Sequence, residues 1–441
     1  HGHVVAEPHV TGAETETAGA PACRGAVMEK AMPTDPDLSR IIRPGDCLIW
    51  GQSHAEPRRL IRMLAEQRGR LGGVRVFLGI GLSGLLGPEH ADHIDFLAYC
   101  ASGTNRALMQ AGVLDILPVH YSRLPQLLRA DVAMLQVSPP DARGRYSLGM
   151  AREYLTAPLS RARAIIAEVN PDVPWTFGGP YLTRDDFALL VDSDAPLPDA
   201  PARIGPVETA IGRHVATLVE DGATLQTGIG AIPDAALAQL GDRRDLGIHS
   251  GSLGDGVAAL QQAGVITNSR KPIDPGVTVG GVLMGGPALR RLAHLNPQIE
   301  LRGTEYTHDP KVLGRLDRFV ALNSAVEVDL TGQVNSEVAG GRYVGAVGGI
   351  IDFLRAAGAS PGGVPIIALP STAGAHSRIV ARLSGPASVP RAESCVIVTE
   401  HGVADLRGLS LRQRVDRMIA IAHPDHREAL AREAHEKGPW G

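Results

Sequence analysis

The residues best placed to do chemistry are glycines, and they sit in loops that follow short strands. In Gln226-Thr227-Gly228-Ile229-Gly230-Ala231-Ile232-Pro233-Asp234-Ala235, the glycines let the backbone approach a ligand closely. The helix that follows offers unpaired N–H groups to an anion or a carbonyl oxygen. A GxG turn alone is a weak signal, because many such turns only serve packing. The run Gly345-Ala346-Val347-Gly348-Gly349 has the composition of a mobile loop, yet Gly348-Gly349 opens an apolar helical run and forms a plausible backbone cradle for a developing oxyanion. Between these loops, Gly247-Ile248-His249-Ser250-Gly251-Ser252 supplies side chains. His249 is either a general base or a residue that orients the turn. Ser250 and Ser252 attack a carbonyl only with a base in hydrogen-bond reach, and a strand-end serine more often satisfies the backbone. His54, His308 and His376 fall on polar loops, and nothing in the sequence ranks them.

The elements that must position these residues follow a βαβ grammar. Cys47-Leu48-Ile49-Trp50 reads as a strand ending in Gly51, and Arg58 to Glu66 as a helix. Val74 to Leu78 is a second strand, ending in Gly79-Ile80-Gly81, and Val132 to Val137 a third, stopped by Pro139-Pro140. Asp192 to Pro206 is rich in Pro, Asp and Ala without a hydrophobic period, which makes it the expected linker. Ile211 to Val219 then reads as an amphipathic helix, and Ala223 to Thr227 as a strand delivered into Gly228-Ile229-Gly230. A further strand alternates Val326, Val328 and Leu330 with Glu327 and Asp329, before a turn at Thr331-Gly332-Gln333. Read from the residues alone, it is a half-exposed hairpin with solvated acids.

Composition narrows the class. A chain of 441 residues suits two domains of about 200 residues each. With 44% hydrophobic and 20% charged residues, it reads as a soluble globular enzyme. The net charge of −4 and the lack of a Lys/Arg run argue against a nucleic-acid partner. No apolar stretch approaches the roughly 20 residues of a membrane span. Residues 1–25 read as a mobile leader without the features of a secretory signal. The four cysteines, Cys23, Cys47, Cys100 and Cys395, lack metal-site spacing, which points to reduced thiols in a cytoplasmic setting and to no metal.

Taken together, these motifs resemble the acetyl-CoA hydrolase/transferase family, the class I CoA-transferases that include 4-hydroxybutyrate and butyrate CoA-transferases. Asn323-Ser324-Ala325-Val326-Glu327-Val328-Asp329-Leu330-Thr331-Gly332-Gln333-Val334-Asn335-Ser336-Glu337 carries the resemblance most specifically. Further ordered blocks extend it from about residue 40 to about 432. They include Val137-Ser138-Pro139-Pro140-Asp141, Leu369-Pro370-Ser371-Thr372 and Ile421-Ala422-His423-Pro424.

The resemblance implies two α/β domains with mostly parallel sheets in the NagB/RpiA-like architecture, spanning residues 26–200 and 206–441, with the thioester-site motifs in the second. It implies a homodimer, acyl-CoA as substrate and no tightly bound cofactor. The CoA-binding positions it points to are Gly228, Ile229, Gly230, Ala231, Gly345, Ala346, Gly348 and Gly349.

Two positions depart from the family: Ala346 stands where a glycine is frequent, and position 251 bears on the reaction itself. Where the family carries the glutamate that becomes a glutamyl-CoA thioester, this chain has Gly251. Three functions therefore compete. The first is an acyl-CoA-dependent transferase or hydrolase in which an external acceptor attacks the thioester directly. The second is an ordinary acyl-CoA:carboxylate CoA-transferase with its nucleophile elsewhere, for which Glu337 and Glu305 are the carboxylates to test. The third is a non-catalytic CoA-binding protein.

Overall fold

Strands that are apolar on both faces belong in the middle of a parallel sheet covered on each side, and the chain builds two such sheets. The structure is a computed structural model that describes residues 35–199 and 201–438; the expected leader and Cys23 lie outside the described residues. The first sheet has seven strands in the order 114–116, 94–98, 74–78, 47–49, 132–137, 164–169 and 189–192. All its pairings are parallel. Every residue of Val132–Val137 is buried. Strand order reverses at Cys47–Ile49, which pairs with Val74–Leu78 on one side and Val132–Val137 on the other.

The second sheet has six strands in the order 247–248, 224–227, 319–323, 364–368, 396–399 and 402–405. Only the last pair is antiparallel. One apolar cluster runs from Ile49 and Val137 of the first sheet to Leu225 and Val320 of the second, so both sheets share a core. Residues 193–205 carry no helix or strand among the described positions.

Local chemistry explains the element boundaries. The Arg58–Gln67 helix has no capping side chain of its own, and Glu168 supplies one from a neighbouring strand by accepting from the Leu60 N–H at 3.1 Å. The helix that follows residues 193–205 is Pro206–Ala216, beginning before the expected Ile211. Pro206 at its first turn needs no N–H partner, and the Glu208 carboxylate accepts from the Gly205 N–H at 3.0 Å.

The hairpin from Glu327 to Asn335 forms as expected, but its acids are buried, which corrects the solvated reading. Asp329 accepts from the N–H groups of Thr331 and Gln333 at 2.9 and 3.0 Å. Glu327 accepts from Asn335 Nδ2 at 3.0 Å and Ser384 Oγ at 2.9 Å. These carboxylates lock turns. Cys47, Cys100 and Cys395 are free thiols. Among the described residues no helix is long and apolar enough to cross a membrane.

The ends of two second-sheet strands are stapled by one hydroxyl. Ser250 Oγ donates to the Thr227 carbonyl at 3.0 Å and accepts from the Thr227 N–H at 3.2 Å, in a fully buried position. Ser250→Ala leaves the Thr227 N–H unpaired and its carbonyl with only the longer contact from Ser252 Oγ, so it is expected to lower unfolding free energy by about 1–3 kcal/mol in urea titration. Ser252→Ala, at a half-buried serine whose contact to the Thr227 carbonyl is 3.3 Å, serves as the near-neutral control.

Candidate active site

Parallel sheets present their ligand sites just beyond the carboxyl ends of their strands, where the connecting loops diverge. Here both sheets contribute to one cavity of about 400 Å³. From the first sheet come Gln52, Ile80 and Tyr99, each just past the end of adjacent strands. From the second come Gly228, Gly251 and Ser324 in the same relation to their own strands. Gly348 and Gly349 close another side, at the N-terminal end of the Ile350–Ala359 helix. Ile229, Val282, Met284, Val347 and Phe353 give the cavity an apolar wall.

His308 is central to this wall. Its ring lies between Tyr121 and Phe353, with centroid separations of 4.9 and 4.5 Å, and Nδ1 meets Thr307 Oγ1 at 2.8 Å. Burial, reinforced by nearby His249, pushes its pKa down to about 3, so the imidazole is neutral at physiological pH. A Cβ added at Gly349 would stand 2.8 Å from His308 Nε2, and one at Gly251 would stand 3.1 Å from His308 Cε1. Two glycines therefore make room for this ring. Gly251 is outside the positive-φ region, and its carbonyl accepts from the N–H groups of Gly281 and Val282 at 3.0 and 3.1 Å.

The sequence-derived candidates divide by position. Gly228, Ile229, Gly251, Ser252, Ala346, Gly348, Gly349 and His308 line the cavity. Gly230 caps the helix beginning at Ala231, with φ of 112°, and neither residue lines it. Gly345 passes so close to Ser336 that a Cβ there would stand 2.1 Å from the Ser336 carbonyl oxygen. The N–H groups of Gly345 and Ala346 donate to the carbonyls of Glu337 and Ser336, each at 3.0 Å. The N–H groups of Gly348 and Gly349, like that of Ile229, take no protein acceptor among the described residues and remain for an oxyanion.

His249 and Ser250 lie behind the wall. His249 Nε2 donates to the Thr307 carbonyl at 3.0 Å, and burial pushes its pKa down to about 4. That geometry orients the turn. Glu337 is also off the cavity, its carboxylate accepting from Ser388 Oγ at 2.6 Å and the Tyr343 hydroxyl at 3.1 Å. Glu305, the exposed residue of the Thr304–Thr307 helix, accepts from Thr156 Oγ1 at 2.5 Å. His54 is buried beside Ser53, and His376 lies on an exposed hairpin. No group of three or more His, Cys, Asp or Glu side chains among the described residues is arranged to hold a metal ion.

Residues 26–182 match the acetyl-CoA hydrolase/transferase N-terminal domain, and residues 285–434 match the C-terminal domain. The chain belongs to the acetyl-CoA hydrolase/transferase family. Among the relatives of this family member is the 4-hydroxybutyrate coenzyme A transferase of Clostridium kluyveri, 39% identical over 398 residues, covering 88% of this chain and 93% of that protein. The butyryl-CoA:acetate CoA-transferase of Anaerostipes caccae is 32% identical over 439 residues, covering 93% and 97%. The crystal structure of RipA from Yersinia pestis superposes with a TM-score of 0.86 at 36% identity, covering 91% of this chain and 96% of RipA. The 4-hydroxybutyrate CoA-transferase of Porphyromonas gingivalis superposes with a TM-score of 0.74 at 33% identity, covering 90% and 95%.

Sequence reasoning did not find the polar side of this family member's cavity. Gln52, Tyr99, Tyr121 and Glu153 form a buried hydrogen-bonded set on the first-sheet side. Gln52 Nε2 donates to Glu153 Oε2 at 2.7 Å, and the Tyr121 hydroxyl donates to the same oxygen at 3.0 Å. Gln52 Oε1 accepts from the Tyr99 hydroxyl at 2.7 Å and the Ile80 N–H at 2.9 Å. Burial raises the Glu153 pKa to about 7 against the opposing hydrogen bonds from Gln52 and Tyr121. The available signal was the Ser147-Leu148-Gly149 block just upstream, but nothing in it singles out Glu153.

This shift makes stability depend on pH with a definite sign. Because the folded pKa is above the unfolded one, the native state keeps a proton that the unfolded chain releases between about pH 4.5 and about pH 7. The stabilisation is full below that window and is lost as pH rises through it. Urea unfolding of Glu153→Gln across this range is expected to show a smaller fall in stability with rising pH than the unsubstituted protein. Parallel profiles would show that the carboxyl is already ionised in the folded state.

Proposed function

We propose that this chain is an acyl-CoA-utilising transferase that passes the acyl group of a CoA thioester directly to an acceptor, or to water, without a glutamyl-CoA intermediate at residue 251. The observation that carries this reading is Gly251 itself, which lines the cavity opposite His308 with no side chain to attack a carbonyl. Transfer of CoA between carboxylates by a ping-pong route needs an enzyme carboxylate that becomes first an anhydride and then a thioester. Relatives carry names such as succinyl-CoA:cyclohexane-1-carboxylate CoA transferase, which pair a CoA thioester with a carboxylate. This cavity keeps the glycine surfaces expected around a thioester while position 251 lacks the nucleophile.

What remains suits acyl transfer. The N–H groups of Gly348 and Gly349 stand at a helix N-terminus, where a developing oxyanion gains both hydrogen bonds and the helix dipole. The apolar side chains of Ile229, Val282, Val347 and Phe353 suit an acyl chain and hold water away from the thioester. A neutral His308 leaves no cation in the wall to hold a competing carboxylate.

Acetate-dependent CoA exchange tests the proposal. The unsubstituted protein is expected to show little exchange between acyl-CoA and acetate, and no borohydride-sensitive adduct at residue 251. Gly251→Glu is expected to gain exchange and to carry that adduct, because the backbone there is outside the positive-φ region and an added Cβ asks the His308 ring to yield by only a few tenths of an ångström. Fast ping-pong exchange by the unsubstituted protein overturns direct transfer.

A further inference from the structure

The cavity contains one acidic side chain among its lining residues, Glu153, and its placement is built rather than incidental. Oε2 is saturated by Gln52 and Tyr121, whereas Oε1 is buried and has no protein partner. A carboxylate with one oxygen clamped and the other free is oriented for transfer at the free oxygen.

The backbone that carries it is strained and pinned. Glu153 has a φ of 32°, a left-handed conformation that non-glycine residues adopt only where the surroundings impose it. Its neighbours supply that constraint. The fully buried Arg152 donates to the carbonyls of Gly179 and Thr176 at 2.7 and 2.9 Å. The Tyr154 hydroxyl donates to the Trp50 carbonyl at 2.8 Å. The Glu153 carbonyl accepts from the Thr304 N–H at 3.0 Å.

Glu153 also adjoins the empty position. A Cβ at Gly281 would touch both sites, standing 2.8 Å from the Gly251 carbonyl oxygen and 3.5 Å from Glu153 Cβ. Tyr121 donates to Glu153 and packs on His308, the ring that a side chain at 251 would meet. The titratable groups around it are Tyr99, Tyr121, Tyr154, Cys100 and His308. Burial raises the pKa of the three tyrosines and the cysteine, and lowers that of His308, so all five are neutral. No cation pairs with the carboxylate among the described residues.

Resting on the direct-transfer reading, we propose that Glu153 is the proton-transfer group of this cleft. Oε1 takes the proton from an acceptor X–H as X bonds to the thioester carbonyl carbon. When the tetrahedral intermediate collapses, the C–S bond breaks and the same proton passes from Oε1 to the leaving sulfur. The products are the acylated acceptor and free CoA thiol, and Glu153 ends as it began. A group that titrates near neutrality exchanges protons in both directions at working pH.

The experiment follows thiol release from acetyl-CoA and butyryl-CoA, in water and with small alcohols and amines, for the unsubstituted protein, Glu153→Gln and Tyr121→Phe. Calorimetric CoA titration confirms folding and binding of each variant. Glu153→Gln is expected to bind CoA while turnover falls about 100- to 10,000-fold, with loss of the kinetic limb near pH 7. Tyr121→Phe removes a hydrogen bond that favours the ionised carboxylate, so its limb is expected to move to higher pH. If Glu153→Gln fails to bind CoA, the Tyr121→Phe limb alone decides, and an unmoved limb overturns the proposal. Glu153→Gln with unchanged turnover overturns the role of Glu153 and leaves direct transfer standing. A borohydride-trapped thioester on Glu153 overturns both, by making it the nucleophile. Absence of thiol release by the unsubstituted protein with every acceptor defeats direct transfer and, with it, the proton-transfer role.

Discussion

Two parallel sheets turn their carboxyl-terminal edges toward one cavity, and every chemical feature of this protein depends on that arrangement. A parallel strand leaves its last backbone groups without ladder partners, so the residues just beyond it must find other bonds or serve a ligand. Gly228 finds a bond, donating its N–H to the Leu322 carbonyl at 3.0 Å. Ser250 gives the end of the Thr224–Thr227 strand both a donor and an acceptor. Once these ends are tied, the Gly348–Gly349 turn supplies backbone donors, and the opposite sheet supplies Gln52, Tyr99 and, through its loops, Tyr121 and Glu153.

The division of labour between the sheets explains how much of the site could be read from the chain. Parallel-sheet strands such as Val132–Val137 are buried on both faces, so their apolar runs stand out, and the glycine turns after them stand out equally. Gly228, Gly251, Gly348 and Gly349 stand out as turn glycines after strands or before a helix, although such glycines also serve packing alone. Glu153 does not. It is one of 47 acidic residues, and its role is defined by Gln52, 101 positions away, and Tyr121, 32 positions away. The same blindness works in reverse for Glu337 and Glu327, whose buried carboxylates serve a hairpin and its flanking loops. Sequence spacing cannot distinguish a carboxylate that locks a turn from one aimed into a cavity, because the difference lies in which distant donors converge on it.

The histidines show the same limit. His249 and His308 are both buried and both held neutral, and His249 is close enough to be felt in the pKa of His308. Yet His249 spends Nε2 on the Thr307 carbonyl behind the wall, whereas the His308 ring stands in the wall itself. Their difference comes from packing, since His308 is clasped by Tyr121 and Phe353 from separate parts of the chain.

A side chain at position 251 would share an apolar cavity with Glu153. A second carboxylate at 251 would disfavour the ionised form of Glu153, since like charges in a poorly solvated cavity raise the pKa of one another. A cleft with two acids would keep Glu153 protonated and reserve anionic character for residue 251, the arrangement that suits a nucleophile beside a proton donor. With Gly251, burial alone acts on Glu153, opposed by the donors on Oε2, and its ionised and protonated forms are balanced near neutrality. On the proposed direct-transfer route Glu153 takes the proton from an incoming acceptor, and the hydrogen-bonded frame of Gln52 and Tyr121 leaves Oε1 as its unpaired oxygen.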